Sequence, residues 1–150
     1  MRLLVRDSSD RRNVDGLDAE LCVGDLRDGA AVSAAVAGCE EVFHVAAEYS
    51  FWSERPGAIY ESNVRGTANV MDACLAHEVE RVVYTSTVGT MGLAGGADLG
   101  EACDEQTPFA DGQLCGDYKR SKLAAETTAL DYVARGLPLV VVNPSAPIGP

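Results

Sequence analysis

The sequence predicts an α/β fold in which a doubly wound parallel sheet carries helices on both faces. Short apolar, β-branched runs alternate with longer segments of helical spacing. The runs are almost continuously apolar, which is typical of strands that are covered on both sides. A single domain is expected, because 150 residues can form one core but leave no room for a second sizeable domain.

Five apolar runs are predicted to be strands: residues 2–6, 20–25, 41–47, 81–87 and 137–145. Three segments between them have the composition or periodicity of helices, at 26–38, 56–79 and 116–136. Residues 92–116 are rich in Gly and Asp and lack periodicity, so they predict a long loop at the carboxyl end of a strand. Ligands bind at that end of such sheets.

The net charge of −11 argues against nucleic acid and anionic membranes as partners, and any anionic ligand must be held by local donors. The five cysteines are odd in number, widely spaced and without a CxxC pair, which indicates neither a disulfide framework nor a zinc site. No histidine–carboxylate cluster has metal-ligand spacing, so no metal is expected. No run reaches the roughly 18 apolar residues of a membrane span, and we expect a soluble protein of the cytoplasm.

Tyr118 and Lys122 lie four residues apart at the start of a predicted helix, which places both side chains on one face. The pKa of a tyrosine hydroxyl is about 10, and it must fall by about three units before the hydroxyl can exchange protons near neutral pH. An ammonium about 5 Å away supplies about two of these units at an effective dielectric near 20. The spacing is common on solvated helices, and alone it is a weak signal.

The order of the motifs strengthens the signal. A strand ending in "YTSTVGT" is followed by a polar loop, the Tyr118–Lys122 pair and a strand ending in "NPSAPIGP". In this order the chain resembles the extended short-chain dehydrogenase/reductase superfamily over essentially its whole length. The segments "VFHVAAEYSFW", "NVRGTANV" and "YKRSKLAAE" are most similar to hopanoid-associated sugar epimerases and dihydroflavonol-4-reductase-like enzymes.

This resemblance implies a Rossmann-like domain that binds NADP or NAD and a small-molecule substrate of the nucleotide-sugar or hydroxy-ketone type. Hydride transfer to or from a carbinol or carbonyl carbon would use Tyr118 as general acid/base and Lys122 as its electrostatic partner on the nicotinamide ribose. Thr87 would hydrogen-bond the substrate oxygen, with the neighbouring Ser86 as the alternative. Whether the enzyme is a reductase or an epimerase stays open.

Further residues face the cofactor by the same resemblance: Asp25 and Leu26 at the adenine, Ala46 and Ala47 under the dinucleotide, and Pro144 and Ser145 at the nicotinamide amide. Ser86, Tyr118 and Lys122 are also expected to bind the cofactor. Arg6 ends the first strand, where an arginine accommodates a 2′-phosphate, and this favours NADP slightly. Each residue has a simpler alternative as part of a turn, the core or a solvated charge cluster.

Aromatic and polar residues near the third strand complete the set. Asn63 resembles a position that bonds backbone beside the active site, and His44 is expected to be a packed core residue. Tyr49, Phe51 and Trp52 line either a substrate pocket or the core under the loop.

No glycine-rich turn of the G-x-G-x-x-G type follows a strand, so the pyrophosphate cradle is missing. Residues 1–150 are therefore expected to form a partial domain, from strand two to strand six of a 3-2-1-4-5-6 sheet, with Met1 at an internal start or the edge of a fragment. Such a chain is expected to fold poorly or to pair strands two and four. A non-catalytic dinucleotide-binding or regulatory module and an inactive truncated product remain alternatives. A homodimer through helices 56–79 and 116–136 is also implied by the resemblance.

Overall fold

A computed structural model of the chain describes residues 1–49, 57–93, 103–109 and 112–145. The five predicted strands are confirmed as β1 (Arg2–Val5), β2 (Glu20–Val23), β3 (Glu41–His44), β4 (Arg81–Thr85) and β5 (Leu139–Val142). Each strand ends before its predicted carboxyl boundary, because the last residues of each apolar run leave the strand ladder and enter a loop.

The three predicted helices are also present. Helix α1 (Gly29–Val36) begins at Asp28, whose carboxylate accepts hydrogen bonds from the first free backbone N–H groups of the helix. The second predicted helix is one continuous helical stretch, in which α2 (Ala58–Tyr60), a π-helical segment (Glu61–Arg65) and α3 (Gly66–Ala76) follow one another. Helix α4 (Asp117–Asp131) is the third. The second helix is predicted to begin after Pro56, and Pro56 itself lies outside the described residues.

All strand pairs are parallel, which confirms the predicted fold class. β1 pairs with β2, with Leu4 opposite Cys22, and β3, β4 and β5 form a second ladder in that order. Within the described residues β1 and β3 do not pair with each other, so each presents one edge without a strand partner.

The core lies on one face of the strands, and all three long helices pack on that face. Its buried members come from α1, α3, α4 and β4, and include Val32, Met71, Cys74, Val82, Tyr84 and Ala129. The alternate strand residues point the other way and are exposed in the described structure: Leu21, Val23, Phe43, Val140 and Val142. The described helices therefore cover only one of the two faces.

Helix α3 approaches the turn after β2 closely at Gly66. A Cβ added to Gly66 would lie 2.9 Å from the Cβ of Leu26, closer than side chains tolerate. The Asn69 amide donates a 2.7 Å hydrogen bond to the Leu26 carbonyl from the same helix. Glycine at this position thus lets α3 support the segment that carries Asp25 and Leu26.

We expect Gly66→Ala to lower the free energy of unfolding by about 1–2 kcal/mol, because overpacking outweighs the gain in helix propensity. The control is Gly29→Ala at the start of α1, where the nearest atom to the new Cβ is Asn69 Oδ1 at 3.4 Å, an ordinary contact distance. Chemical denaturation of both variants is the measurement. A Gly66→Ala variant as stable as the parent would show that the close approach has no energetic consequence.

Candidate active site

The residues that follow the parallel strands gather at the carboxyl ends, where sheets of this class bind ligands. The turn after β2 lies against the helix that follows β3, because Asn69 of α3 donates a 2.7 Å hydrogen bond to the Leu26 carbonyl. Two of the predicted cofactor-binding residues, Tyr118 and Lys122, lie on α4. The others lie within a few positions of a strand end: Arg6, Asp25, Leu26, Ala46, Ala47, Ser86, Pro144 and Ser145.

Thr87 and Tyr118 line one cleft of about 200 Å³, together with Tyr49, Cys115 and Gly116 among others. Thr87 follows the end of β4, and its Oγ1 accepts a 3.2 Å hydrogen bond from Gly89 N. Because that oxygen acts as an acceptor, the hydroxyl hydrogen remains available for donation. The cleft therefore joins a hydroxyl donor with a phenol.

Tyr118 lies in the first turn of α4, and its ring meets the Tyr49 ring edge-on at a centroid distance of 4.6 Å. Burial raises the pKa of Tyr118, and Tyr49 adds to that rise. The expected lowering of this pKa by Lys122 is not seen in this structure. Near neutral pH the side chain is consequently a protonated phenol, which is the general-acid form.

Lys122 is buried, with 2% of its surface exposed, and does not line the cleft. Its Nζ donates to Tyr84 Oη at 3.1 Å and to the Thr85 carbonyl at 2.9 Å. Burial lowers the Lys122 pKa to about 8, and Glu126 opposes that shift. The side chain therefore remains mainly cationic at neutral pH.

A buried amide fixes the backbone beside Tyr118. Asn63 Oδ1 accepts from Glu48 N at 2.6 Å, and its Nδ2 donates to the Glu48 carbonyl and to Ser121 Oγ, each at 3.0 Å. Ser121 Oγ in turn donates to the Tyr118 carbonyl at 2.8 Å. Asn63 thus bonds backbone next to the site, as its sequence context implies, and the π-helical segment presents it there.

Charged side chains of both signs lie where β1 and β2 end. Hydrogen bonds from the Arg27 side chain and backbone lower the Asp25 pKa to about 2, and the charge of Arg6 contributes. The Arg6 side chain is exposed beside this pair. A guanidinium is therefore available next to the carboxylate at the end of the first two strands.

Two local features fit a bound dinucleotide. Ser86 Oγ is buried, with 5% of the residue exposed, and has no hydrogen-bond partner among the described residues. Ala46 and Ala47 are small and exposed after β3, so a flat ligand could approach the backbone there. Phe51 and Trp52, predicted to line either the pocket or the core, lie outside the described residues. The described residues include no group of three or more His, Cys, Asp or Glu that could hold a metal ion.

Two residues at the site, Glu126 and Tyr84, are not marked by any sequence motif. Glu126 Oε2 accepts from Thr90 Oγ1 at 2.8 Å and from Asn143 Nδ2 at 3.0 Å, which ties α4 to the segments after β4 and β5. Tyr84 is the hydrogen-bond partner of Lys122. Their positions in the sequence could have indicated them, because Glu126 follows Lys122 by one helical turn and Tyr84 occupies an inward position of β4.

The parallel strands, the helices on them and the polar carboxyl ends define a dinucleotide-binding α/β class of protein. Residues 2–150 match the profile of the NAD dependent epimerase/dehydratase family. The chain therefore belongs to this family, whose members are NAD-dependent epimerases, dehydratases and reductases.

Similar proteins agree with this assignment. The chain is 43% identical over 150 residues to a provisionally named dihydroflavonol 4-reductase of Synechocystis sp., covering 100% of the chain and 43% of that protein. The crystal structure of gox2253 has a TM-score of 0.89 and 44% identity, covering 99% of this chain and 44% of that one. The UDP-glucose 4-epimerase of Thermus thermophilus, solved with NAD, has a TM-score of 0.77 and 27% identity, covering 95% of this chain and 46% of that one.

The predicted superfamily is thereby confirmed, including its likeness to dihydroflavonol reductases. The chain spans less than half the length of each of these proteins. Within the described residues no helix is both long enough and apolar enough to cross a bilayer.

His44 is the core histidine that the sequence predicts: it is 4% exposed, and its Nε2 lies 2.9 Å from Thr67 Oγ1. Burial, assisted by the charge of Lys122, lowers its pKa from 6.5 to about 4. The unfolded chain binds a proton below pH 6.5 and the folded chain does not, so stability falls as the pH drops from 6.5 towards 4.

We expect this titration to remove about 3 kcal/mol of unfolding free energy across that interval. Denaturation at a series of pH values should show a flatter profile in His44→Gln, since the titrating group is gone. The control is His77→Gln, which removes the other histidine, an exposed residue bonded to Ser33. Asp25 loses its own contribution only below its ordinary pKa of 3.8. Parallel profiles for the parent and His44→Gln would contradict this origin.

Proposed function

We propose that residues 1–150 are a partial NAD(P)-binding domain of an oxidoreductase or nucleotide-sugar epimerase of the extended short-chain dehydrogenase type. The observation that carries the proposal is the shared cleft of Thr87 and Tyr118, with the Lys122 ammonium one helical turn behind it. The strand ladders support the domain assignment, because β2-β1 and β3-β4-β5 match strands two to six of a sheet whose first strand is central.

The chemistry follows from the groups in the cleft. In the reducing direction the Tyr118 phenol donates its proton to the substrate carbonyl oxygen while a hydride reaches the carbonyl carbon. Thr87 donates a hydrogen bond to the same oxygen as negative charge develops there. Lys122, cationic one turn away, offsets the charge of the phenolate that remains. The bound nicotinamide supplies or accepts the hydride, and oxidation is the reverse of these steps.

The reducing direction is the better supported of the two. The raised pKa of Tyr118 keeps it in the form that gives a proton, and the relative from Synechocystis carries the name of a reductase. We therefore propose a carbonyl substrate of the hydroxy-ketone type, with a nucleotide sugar as the alternative.

The residues at the strand ends would hold the cofactor. Asp25 and Leu26 would lie at the adenine and Ala46 and Ala47 under the dinucleotide. Ser86, Pro144 and Ser145 would lie near the nicotinamide, where the unpartnered Ser86 hydroxyl supplies a hydrogen-bonding group. The exposed guanidinium of Arg6 supports NADP over NAD.

A non-catalytic dinucleotide-binding module is the second candidate. It is favoured by the direction of Lys122, whose ammonium is turned to Tyr84 and Thr85. Such a module would bind the dinucleotide without turning over a substrate.

We also propose a homodimer through helices 56–79 and 116–136, supported by the exposed Leu130 on α4. We propose the reducing cytoplasm as the compartment, because the five cysteines are widely spaced and form no CxxC pair.

Tyr118→Phe is the decisive test of catalysis. With reduced cofactor and a hydroxy-ketone, we expect kcat to fall by about 100-fold or more because the proton donor is lost, while cofactor affinity changes little. Loss of cofactor absorbance gives the rate, and calorimetry gives the affinity. Tyr132→Phe, a buried tyrosine bonded to the Ala68 carbonyl, is the control. Full activity in Tyr118→Phe removes this residue from the mechanism, and binding without turnover in the parent supports the second candidate.

Arg6→Gln tests the cofactor preference. We expect affinity for NADP to fall by about tenfold, with affinity for NAD changed much less, because one charge-assisted contact to the 2′-phosphate is lost. Arg81→Gln is the control, since Arg81 begins β4 at the opposite end of the strands and pairs with Glu41. Calorimetry with both cofactors is the measurement. Equal losses for NADP and NAD would contradict a 2′-phosphate contact.

A further inference from the structure

Behind Lys122 a chain of buried polar side chains crosses the core. Lys122 Nζ lies 3.1 Å from Tyr84 Oη, and the Thr67 side chain lies next to Tyr84, because it contributes to lowering the pKa of that phenol. Thr67 Oγ1 lies 2.9 Å from His44 Nε2. All four residues are buried, and they come from α4, β4, α3 and β3. The chain therefore connects four elements of the fold behind the candidate cleft.

The chemistry of the groups fixes one end of this chain. An ammonium can only donate, so the Tyr84 oxygen must accept the bond from Lys122. The phenol hydrogen can then go to Thr67, and the Thr67 hydrogen to Nε2 of a neutral His44 that carries its proton on Nδ1. These roles let the Tyr84 and Thr67 hydroxyls each donate one hydrogen bond and accept another.

We propose that Tyr84 is the positioning residue for the Lys122 ammonium, and that Thr67 and His44 in turn hold the Tyr84 hydroxyl in the accepting orientation. The catalytic meaning of this contact rests on the proposed function, whereas the contact itself does not. Tyr84 supplies a side-chain acceptor and also an aromatic face, with Nζ 4.7 Å from the ring centroid. The Thr85 carbonyl alone would leave the ammonium held by a single bond.

Few charged or titratable groups face this ammonium among the described residues. Glu126 and Tyr118 share α4 with Lys122, Tyr84 lies on β4, and the neutral His44 lies on β3. Thr67 on α3 does not titrate. A change at Tyr84 should therefore be registered directly in the titration of Lys122.

The sequence makes this titration unusually clear, because Lys119 and Lys122 are its only lysines. The full chain labelled with ¹³C-lysine has two Cε signals, and exposed Lys119 is an internal reference. Assignment follows from Lys119→Arg. In the parent, we expect Lys122 to titrate near 8, below the ordinary lysine pKa of 10.5.

In Tyr84→Phe the Lys122 pKa should fall further by about one unit, because the charged form loses an acceptor while the burial and the ring remain. Thr67→Val should shift it in the same direction by less, since the Tyr84 hydroxyl is no longer held. Tyr132→Phe, the same substitution at a buried tyrosine away from Lys122, should leave it unchanged. A merely structural role of Tyr84 would alter stability without this selective shift.

An unchanged Lys122 pKa in folded Tyr84→Phe overturns the proposal. If Tyr84→Phe unfolds, its two signals merge at the position of free lysine, and Thr67→Val then decides: an unchanged pKa there overturns the proposal, and a downward shift supports it. The titration needs no substrate or cofactor. A lost role for Tyr118 in turnover would therefore refute the proposed function and leave this result standing.

Discussion

The buried charge of Lys122 is the constraint on which the site depends. An ammonium with almost no exposure must be hydrogen-bonded, since a buried charge without partners is strongly unfavourable. Tyr84 and the Thr85 carbonyl satisfy it, and in doing so they fix α4 against β4. Because Tyr118 lies one turn before Lys122, the same contacts direct Tyr118 towards the cleft. The site is thus held in place by polar bonds as well as by apolar packing.

A second polar connection reaches Tyr118 from the other side. Asn63 joins the backbone after β3 to Ser121, and Ser121 bonds the Tyr118 carbonyl. The first turn of α4 is therefore held from β3 and from β4 at once. These contacts restrain the backbone around Tyr118, and its ring packs edge-on against Tyr49.

Much of this architecture could be predicted from the sequence. The apolar runs identify all five strands, because burial of the strand face is the main determinant of their composition. Once the strands are parallel, their carboxyl ends must share an edge, and Arg6, Asp25 and Thr87 follow three of those ends. The site residues therefore lie together because of the strand topology, and this topology can be predicted once the strands are identified in the sequence.

The direction of Lys122 could not be predicted in the same way. Spacing by four residues places Tyr118 and Lys122 on one helical face, but it does not select a rotamer. The choice is made by Tyr84, which is 38 positions away in the sequence. The π-helical segment that presents Asn63 has likewise no local signal, since its residues have ordinary helical composition. Long-range partners decide both features.

One face of the sheet is not covered by the described residues, although the sequence pattern predicts burial on both faces. The strand sequences are apolar on both sides, yet Phe43 is 65% exposed and Val23 56% exposed in the described structure. Burying such a side chain stabilises a fold by about 1.5–3 kcal/mol. The apolar composition of the strands predicts burial on both faces of the sheet, whereas the described residues cover only one face. The exposed apolar side chains lie on the face opposite the helices that hold the site. Within the described residues, β1 and β3 each also have one edge without a strand partner. The cleft of Thr87 and Tyr118 lies beside α4, on the side of the sheet that the described helices cover.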